Sequence, residues 1–432
     1  MTDSPSPRPP RRRFRRALKI AAGLLLLCVL VPALYLGGIT VVSIFRWSAF
    51  EKQLAQGIAA QGARDGARTP IGGGGEKGNA WDEYALFIPG LDPRHGYKNP
   101  FPVRPDGSPA GPRADGALEI AGELMDRIAN AARRERAVRV IDWEQGTDGI
   151  LDDGRPLRNT AELLLADAWR KRIAGDFDGA LGRCEAVMQL VLDASRVLAL
   201  YALMSIHILE PACEMMSDLA VDPGATKEQL LRIEAILESA EAQLPGPEEA
   251  FEAERWHGGA RLKLIVENRL PVETPDYAEK EVRWKSVLRR GFSIKGAAVD
   301  VARHQEQAVA LARRTRPLPW SEAGRMWSTF ENDWEAHGNP LQHSLWLGYH
   351  YYCWAERGCR ARFRLLRIAC MTLRKDTSPL PPDPITLKPF ESAASARQIV
   401  FRTPGPDHWG YSAGAFRKTG DEEQIMITVP LR

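Results

Sequence analysis

The sequence predicts a mainly α-helical protein: an N-terminal transmembrane helix, an antiparallel helical bundle or short α-solenoid, and a small C-terminal antiparallel β-subdomain. Three observations predict it. Residues 20–45 carry no charged side chain. Apolar residues recur at three- and four-residue spacing through 117–375, the period of a buried helix face. Beyond Lys375 that period gives way to prolines and short strand-like runs.

The first element is the apolar run Ile20–Phe45, 26 residues long. About 20 suffice to cross the hydrocarbon layer of a bilayer. A basic cluster from Arg11 to Lys19 precedes the run, while Arg46 and Lys52 follow it more sparsely. By the positive-inside rule, residues 1–19 form a cytoplasmic basic tail and the bulk of the chain is exported. A cleavable signal peptide has a shorter apolar stretch, about 7–15 residues, and ends in a small-x-small site. Val31-Pro32-Ala33 fits that poorly, and Leu27 before Cys28 does not suit a lipoprotein signal. The expectation is an uncleaved anchor at 20–45 in a bacterial inner (cytoplasmic) membrane, with a periplasmic C-terminal bulk.

Charge argues against one class of partner. Residues 1–50 carry eight Lys/Arg against Asp3, so the net +3 of the chain divides into +7 there and −4 elsewhere. A slightly acidic exported part lacks the positive field that nucleic acid requires. Nucleic acid is excluded as the leading partner.

Residues 46–116 read as a membrane-proximal helix and a Gly/Pro-rich linker or irregular strap lying on the domain. Four glycines stand at 72–75, and prolines recur from Pro89 to Pro112. The stretch GGGGEKG at 72–78 lacks the G-K-[ST] ending of a phosphate loop, so it reads as flexible linker. Only Asn79–Ile88 is apolar enough to pack.

Residues 117–375 form the α-helical domain. The pattern gives helices over 117–137, 159–174, 177–194, 196–220, 226–243, 247–268, 276–313, 320–336 and 341–375. Asp222-Pro223-Gly224, Pro245-Gly246-Pro247 and Pro317-Leu318-Pro319 stop them. Thr226 with Gln229 three residues on predicts a capping box. Gly175-Asp176-Phe177-Asp178-Gly179-Ala180-Leu181 resembles the turn and second-helix start of a tetratricopeptide repeat, which implies an αα-hairpin. No second copy follows about 34 residues later.

The tail, 376–432, holds strand-like runs at 398–402, 408–412 and 424–429. Its motifs carry a resemblance. Asp383-Pro384-Ile385-Thr386-Leu387-Lys388-Pro389-Phe390, then Tyr411-Ser412-Ala413-Gly414, then Asp421-Glu422-Glu423 follow a long helix. In this order they resemble the C-terminal half of the major pseudopilins of type II secretion. The resemblance implies a helix serving as spine for a small sheet. No prepilin cleavage pattern follows Arg15-Arg16-Ala17-Leu18, and Ala415-Phe416-Arg417-Lys418 replaces the calcium loop, so filament assembly and calcium binding are not implied. Over more of its length, with Asn79-Ala80-Trp81 as a further element, the chain is similar to a group of uncharacterised bacterial single-pass membrane proteins.

Several constellations could carry chemistry, and each has a plainer reading. Glu254 and His257 sit one helical turn apart, as in di-iron bundles, but no second Glu-x-x-His pair exists. Together with Glu248, Glu249 and Glu252, Glu254 reads as helix-start surface electrostatics. His343, His350 and Cys353 share a helical face but spread too far to converge on a metal, so they read as packed residues. Trp320, Trp327 and Trp334 recur every seven residues beside Phe330 and read as a buried seam rather than a ligand platform. Arg357, Arg360, Arg364, Arg367 and Arg374 form a stripe expected to be solvated. Arg362 falls on the apolar arc and should pair with a buried carboxylate. Cys353 and Cys359 lie about 9 Å apart along one helix, too far to bridge. Pairing among Cys184, Cys213, Cys353, Cys359 and Cys370 is otherwise left open.

No catalytic, cofactor-binding or metal-ligating residue is assigned from these patterns, and no cofactor is expected. The leading expectation is a membrane-anchored extracytoplasmic helical scaffold, with the inner membrane (through 20–45) and a protein as its partners. An exported hydrolase or metal-dependent enzyme is the alternative, and an accessory component of a secretion or pilus apparatus is the third.

Overall fold

The computed structural model describes residues 11–62, 66–71, 73, 75–87, 122–139, 141, 143, 154–196, 198–269, 294–337, 341, 348–395, 397–403 and 426–430. Among them the protein is mainly helical, with a small antiparallel sheet near its C-terminus. The helices are α1 (Arg11–Gly62), α2 (Ala80–Phe87), α3 (Gly122–Ala131), α4 (Gly154–Ile173), α5 (Phe177–Ser195) and α6 (Ala199–Val221). They continue with α7 (Lys227–Gln243), α8 (Pro247–Val266), α9 (Ile294–Thr315), α10 (Trp320–His337) and α11 (Tyr349–Leu373). The strands are β1 (Glu76–Asn79), β2 (Arg134–Arg136), β3 (Glu391–Ala394), β4 (Gln398–Arg402) and β5 (Met426–Pro430).

Local chemistry sets the helix ends. Gly175 takes the left-handed conformation, φ +77°, that ends α4. Asp176 then caps α5 by accepting from the Gly179 amide at 2.9 Å. Thr226 and Gln229 make the reciprocal capping box at the start of α7, at 3.0 and 3.2 Å. Asp222 closes the turn before it, accepting from Gly224 N at 2.8 Å.

Helices α4, α5 and α6 pack on one another, and α11 lies against α6 and α7. Their apolar faces make the larger core, which Trp320, Trp327, Tyr349 and Tyr352 join. A second, smaller core forms where the end of α1 meets α8 and α9.

Several expectations change, and one is the start of the helix expected over 341–375, which begins at Tyr349, with Leu341 in a turn. The 117–137 helix is shorter: α3 stops at Ala131 and Arg134–Arg136 is a strand. Residues 72–78 are not all linker, because Glu76–Asn79 pairs in parallel with that strand, Glu76 opposite Arg134 and Asn79 opposite Arg136. Small residues permit this approach. A Cβ on Gly75 would sit 3.0 Å from Glu135 Cβ, and Gly78 adopts φ +126° beside Arg134. The tail sheet runs β3-β4-β5 antiparallel, with β3 at Glu391–Ala394 an additional strand. Residues 408–412 and 276–293 lie outside the described residues.

Candidate functional site

The residues singled out from sequence converge on two places, the α8–α11 interior and the face of α11 that meets α7. In the first, the tryptophan seam is buried. Trp327 is fully enclosed, with Trp320 and Trp334 each 8% exposed. Trp327 packs edge-on against Phe251 and Phe330 and donates its indole N–H to Thr315 Oγ1 at 3.2 Å. His304 of α9 is stacked between Phe330 and Trp334, with ring centroids 4.2 and 3.8 Å away. His257 is buried against Trp143 at 4.4 Å. His350 packs against Trp320, and Cys353, three residues on, is buried; burial lowers the imidazole's pKa and raises the thiol's. His343 lies outside the described residues. Among the described residues no group of three or more His, Cys, Asp or Glu could hold a metal ion.

Glu254 departs from its surface reading. Glu254 as a residue keeps some exposure, but its carboxyl group is enclosed. Desolvation pushes its pKa up to about 7, while the Ala199 N–H and the Arg261 charge oppose the shift. Sequence alone could not show this, because the carboxyl points to the start of α6 rather than along its own helix. Of its neighbours, Glu249 does serve the helix start, accepting from Gly246 N at 3.3 Å, and Glu248 pairs with Arg316.

The arginine stripe of α11 is not a solvated face. Arg357 donates to Leu318 O at 2.7 Å and Thr315 O at 2.8 Å. Arg360 holds Glu356 and donates to Glu241 O and Leu244 O, each at 2.8 Å. Arg364 reaches Glu241 at 2.7 Å, Arg367 reaches it at 3.5 Å, and Arg374 binds Glu234 at 2.7 Å. The stripe therefore fastens α11 to α7, including its C-terminal end, and to the α9–α10 turn. Carbonyls at helix C-termini and carboxylates on α7 supply the acceptors that water would otherwise provide. Arg362 pairs with Glu210 at 2.7 Å, as its position on the apolar arc implied.

Beside that pair lies a shallow cleft lined by His207, Glu210, Tyr351, Trp354, Cys359 and Arg362. His207 and Tyr351 meet there at 3.1 Å. Its enclosed volume is about 20 Å³, room for a water but not for an organic substrate. All six cysteines are free thiols, and all but Cys28 are buried.

Two features escaped the sequence reading. One is the buried set that fastens the strap: Arg68 and Tyr84 meet Asp193, and Ile71 N meets Gln189. An aspartate inside the apolar face of α5 was the available signal. The other is the socket for α1. Trp47, Phe50 and Leu54 are buried against Leu262, Ile265, Ala297, Ala298 and Val301. A Cβ on Gly259 would sit 2.8 Å from Leu54, and one on Gly57 would sit 2.5 Å from Trp256. The adjacent glycines at 258 and 259, costly inside a helix, were the signal missed.

Comparison of the chain with protein-family models, with characterised proteins and with solved structures gives no match in any of the three. Function rests on the residues themselves.

Proposed function

We propose that the protein is a membrane-anchored scaffold, held by residues 20–45 in a bacterial inner membrane and offering its helical domain to a protein partner on the periplasmic side. One observation carries the reading. Helix α1 continues unbroken from its apolar part into the domain. Leu26, Leu27, Val29, Leu30, Val31, Leu34 and Phe45 stand exposed, whereas Trp47, Phe50 and Leu54 are buried. So many bare apolar side chains on one helix are costly in water and favourable in lipid. Among the described residues this is the one helix long and apolar enough to cross a membrane. The successive packing of α4, α5 and α6 suits a short solenoid that offers a broad surface.

The test is topological. A C-terminal alkaline phosphatase fusion is expected to be active, and the full-length chain to stay in membranes through carbonate extraction. A soluble mature chain starting after the apolar run would overturn the anchor, and an inactive fusion would overturn the orientation.

Glu254 favours a second reading, an exported hydrolase. A carboxyl with a pKa near 7, whose charge is felt at Tyr349 and which stands one turn from His257 on its own helix, suits general acid–base work. Loss of a detected hydrolytic activity in Glu254→Gln, with folding unchanged, would establish it. Full activity in that variant would remove it.

A further inference from the structure

The rigid mounting of α1 fixes more than attachment, because it fixes which end of the domain meets the lipid. Gly57 faces Trp256, and Leu54 and Phe50 face Gly259, so α1 and α8 run antiparallel. Continuing that register brings Val266, the last residue of α8, level with Trp47. Helix α9 runs back along α8, since Gly258 meets Gln305 while Ala297 and Ala298 share the core with Leu262 and Ile265. Its first residues, Ile294 and Lys295, therefore lie at the same end as the exit of α8, Glu267 to Arg269.

Among the described residues the charge at this end is positive. Arg46, Lys263 and Arg269 are exposed and Lys295 is partly so. Glu267 is the acid among them, shared between Lys263 at 3.8 Å and Arg269 at 3.6 Å. Glu51 and Asp300 sit more than a turn farther along their helices. Ile294 is 38% exposed here. Apolar and cationic side chains side by side suit the boundary between acyl chains and phosphate headgroups.

We propose that the end of the domain formed by Arg269, Ile294 and Lys295 rests against the phospholipid headgroups of the membrane that α1 spans, with the α9–α10 turn pointing away. This rests on the anchor reading above. The helix leaves the apolar run at Phe45 and is clamped by Trp47, about 3 Å farther along its axis. So short a free stretch leaves the domain little room to tilt.

The experiment uses the full chain carrying Cys28→Ser, reconstituted in phosphatidylcholine–phosphatidylglycerol vesicles with headgroup-labelled acceptor lipid. A donor dye is attached at Lys295→Cys or at Arg313→Cys, residues about 27 Å apart along α9. Energy transfer to the lipid is expected to be several-fold stronger from position 295. A short glycine-serine insertion between Phe45 and Arg46 leaves the socket intact and should abolish the difference. Equal transfer in the uninserted chain, or a difference that survives the insertion, would overturn the proposal. Failure of the chain to float with the vesicles at all would mark the failure of the anchor reading instead.

Discussion

Arg68 and Asp193 form an ion pair at 3.0 Å with both side chains wholly withdrawn from solvent, joining the strap before β1 to the last turn of α5. Tyr84 donates to the second carboxylate oxygen at 3.2 Å and Gln189 to the first at 2.9 Å. Gln189 also accepts from Ile71 N at 2.8 Å. Burial nevertheless raises the Asp193 pKa from 3.8 to about 6, against the lowering influence of Arg68. A carboxyl raised in the folded state adds stability at low pH that is lost as pH rises through the folded value.

The two halves of the pair should therefore fail differently. In Arg68→Leu, Asp193 can take up a proton, so the loss of melting temperature is expected to be larger at pH 8 than at pH 5. In Asp193→Ala the guanidinium cannot neutralise itself and the low-pH stability of the carboxyl is gone as well, so a loss of roughly 3–5 kcal/mol should persist at both and be larger at pH 5. Equal pH profiles for the two variants would show that the pair does not govern the strap.

Glu254 supplies a second pH test. Its pKa rises from 4.5 to about 7 on folding, so its ionisation costs stability between those values, and the cost is complete above pH 7. Glu254→Gln keeps an acceptor for the Ala199 amide and removes the charge. It should match the parent at pH 4 and exceed it at pH 8, by roughly 3 kcal/mol at most. A variant that is less stable at pH 8 would mean the carboxylate is needed in its charged form.

Glu241 is the keystone of the α7–α11 seam, contacted by Arg364 at 2.7 Å and Arg367 at 3.5 Å. Glu241→Ala should cost about 2–4 kcal/mol, because it strands two partly buried cations. Adding Arg364→Ala should recover part of that loss in a double-mutant cycle. A loss within the range of ordinary surface pairs, below about 1 kcal/mol, would return the stripe to the solvated reading.

Trp327→Ala should cost about 3–5 kcal/mol, the usual loss for a fully enclosed aromatic ring. Near-native chemical denaturation would instead mean the tryptophan stripe is a platform for ligands.

What could be read from sequence was whatever repeats along one element. The period of three and four gave the helices over 177–194, 196–220, 226–243, 247–268 and 320–336 to within three residues at both ends, and the Thr226–Gln229 cap is present as spaced. What could not be read was pairing between elements. Nothing local says that Arg360 and Arg364 find carbonyls at Leu244 and Pro382, so a basic stripe looked like a wet face. Nothing local says that Asn79 bonds Val138 in both directions, at 2.9 and 2.8 Å, and so turns part of a glycine-rich stretch into a strand. Arg362 was legible because its own helix buries most of that arc, and a cation partly withdrawn from water there demands an acid.

The tail tests the idea that α11 is a spine. Three strands of about five residues cannot bury enough apolar area alone. In the structure β5 packs on α11, and Val429, Phe401 and Ile385 join Leu365, Leu366 and Ala369 in the main core. Ile399, Ile427 and Leu373 pack partly buried against it, while Tyr411 and Ile425, expected there too, lie outside the described residues. The turn between helix and sheet is tied down as well. Asp383 is wholly buried and accepts from Ile385 N at 3.2 Å and Thr386 N at 3.0 Å. Ile385 O in turn accepts from Trp320 N at 2.7 Å, closing the first turn of α10. Truncation after Lys375 should therefore bare the Leu365–Ala369 face, orphan the Trp320 amide, and lower the melting temperature by several degrees with loss of solubility. Val429→Asp, which keeps the chain whole, should do the same in smaller measure, since it sets an unpaired charge in that core. If both proteins melt like the parent and remain monodisperse, the sheet is an appendage and α11 is no spine.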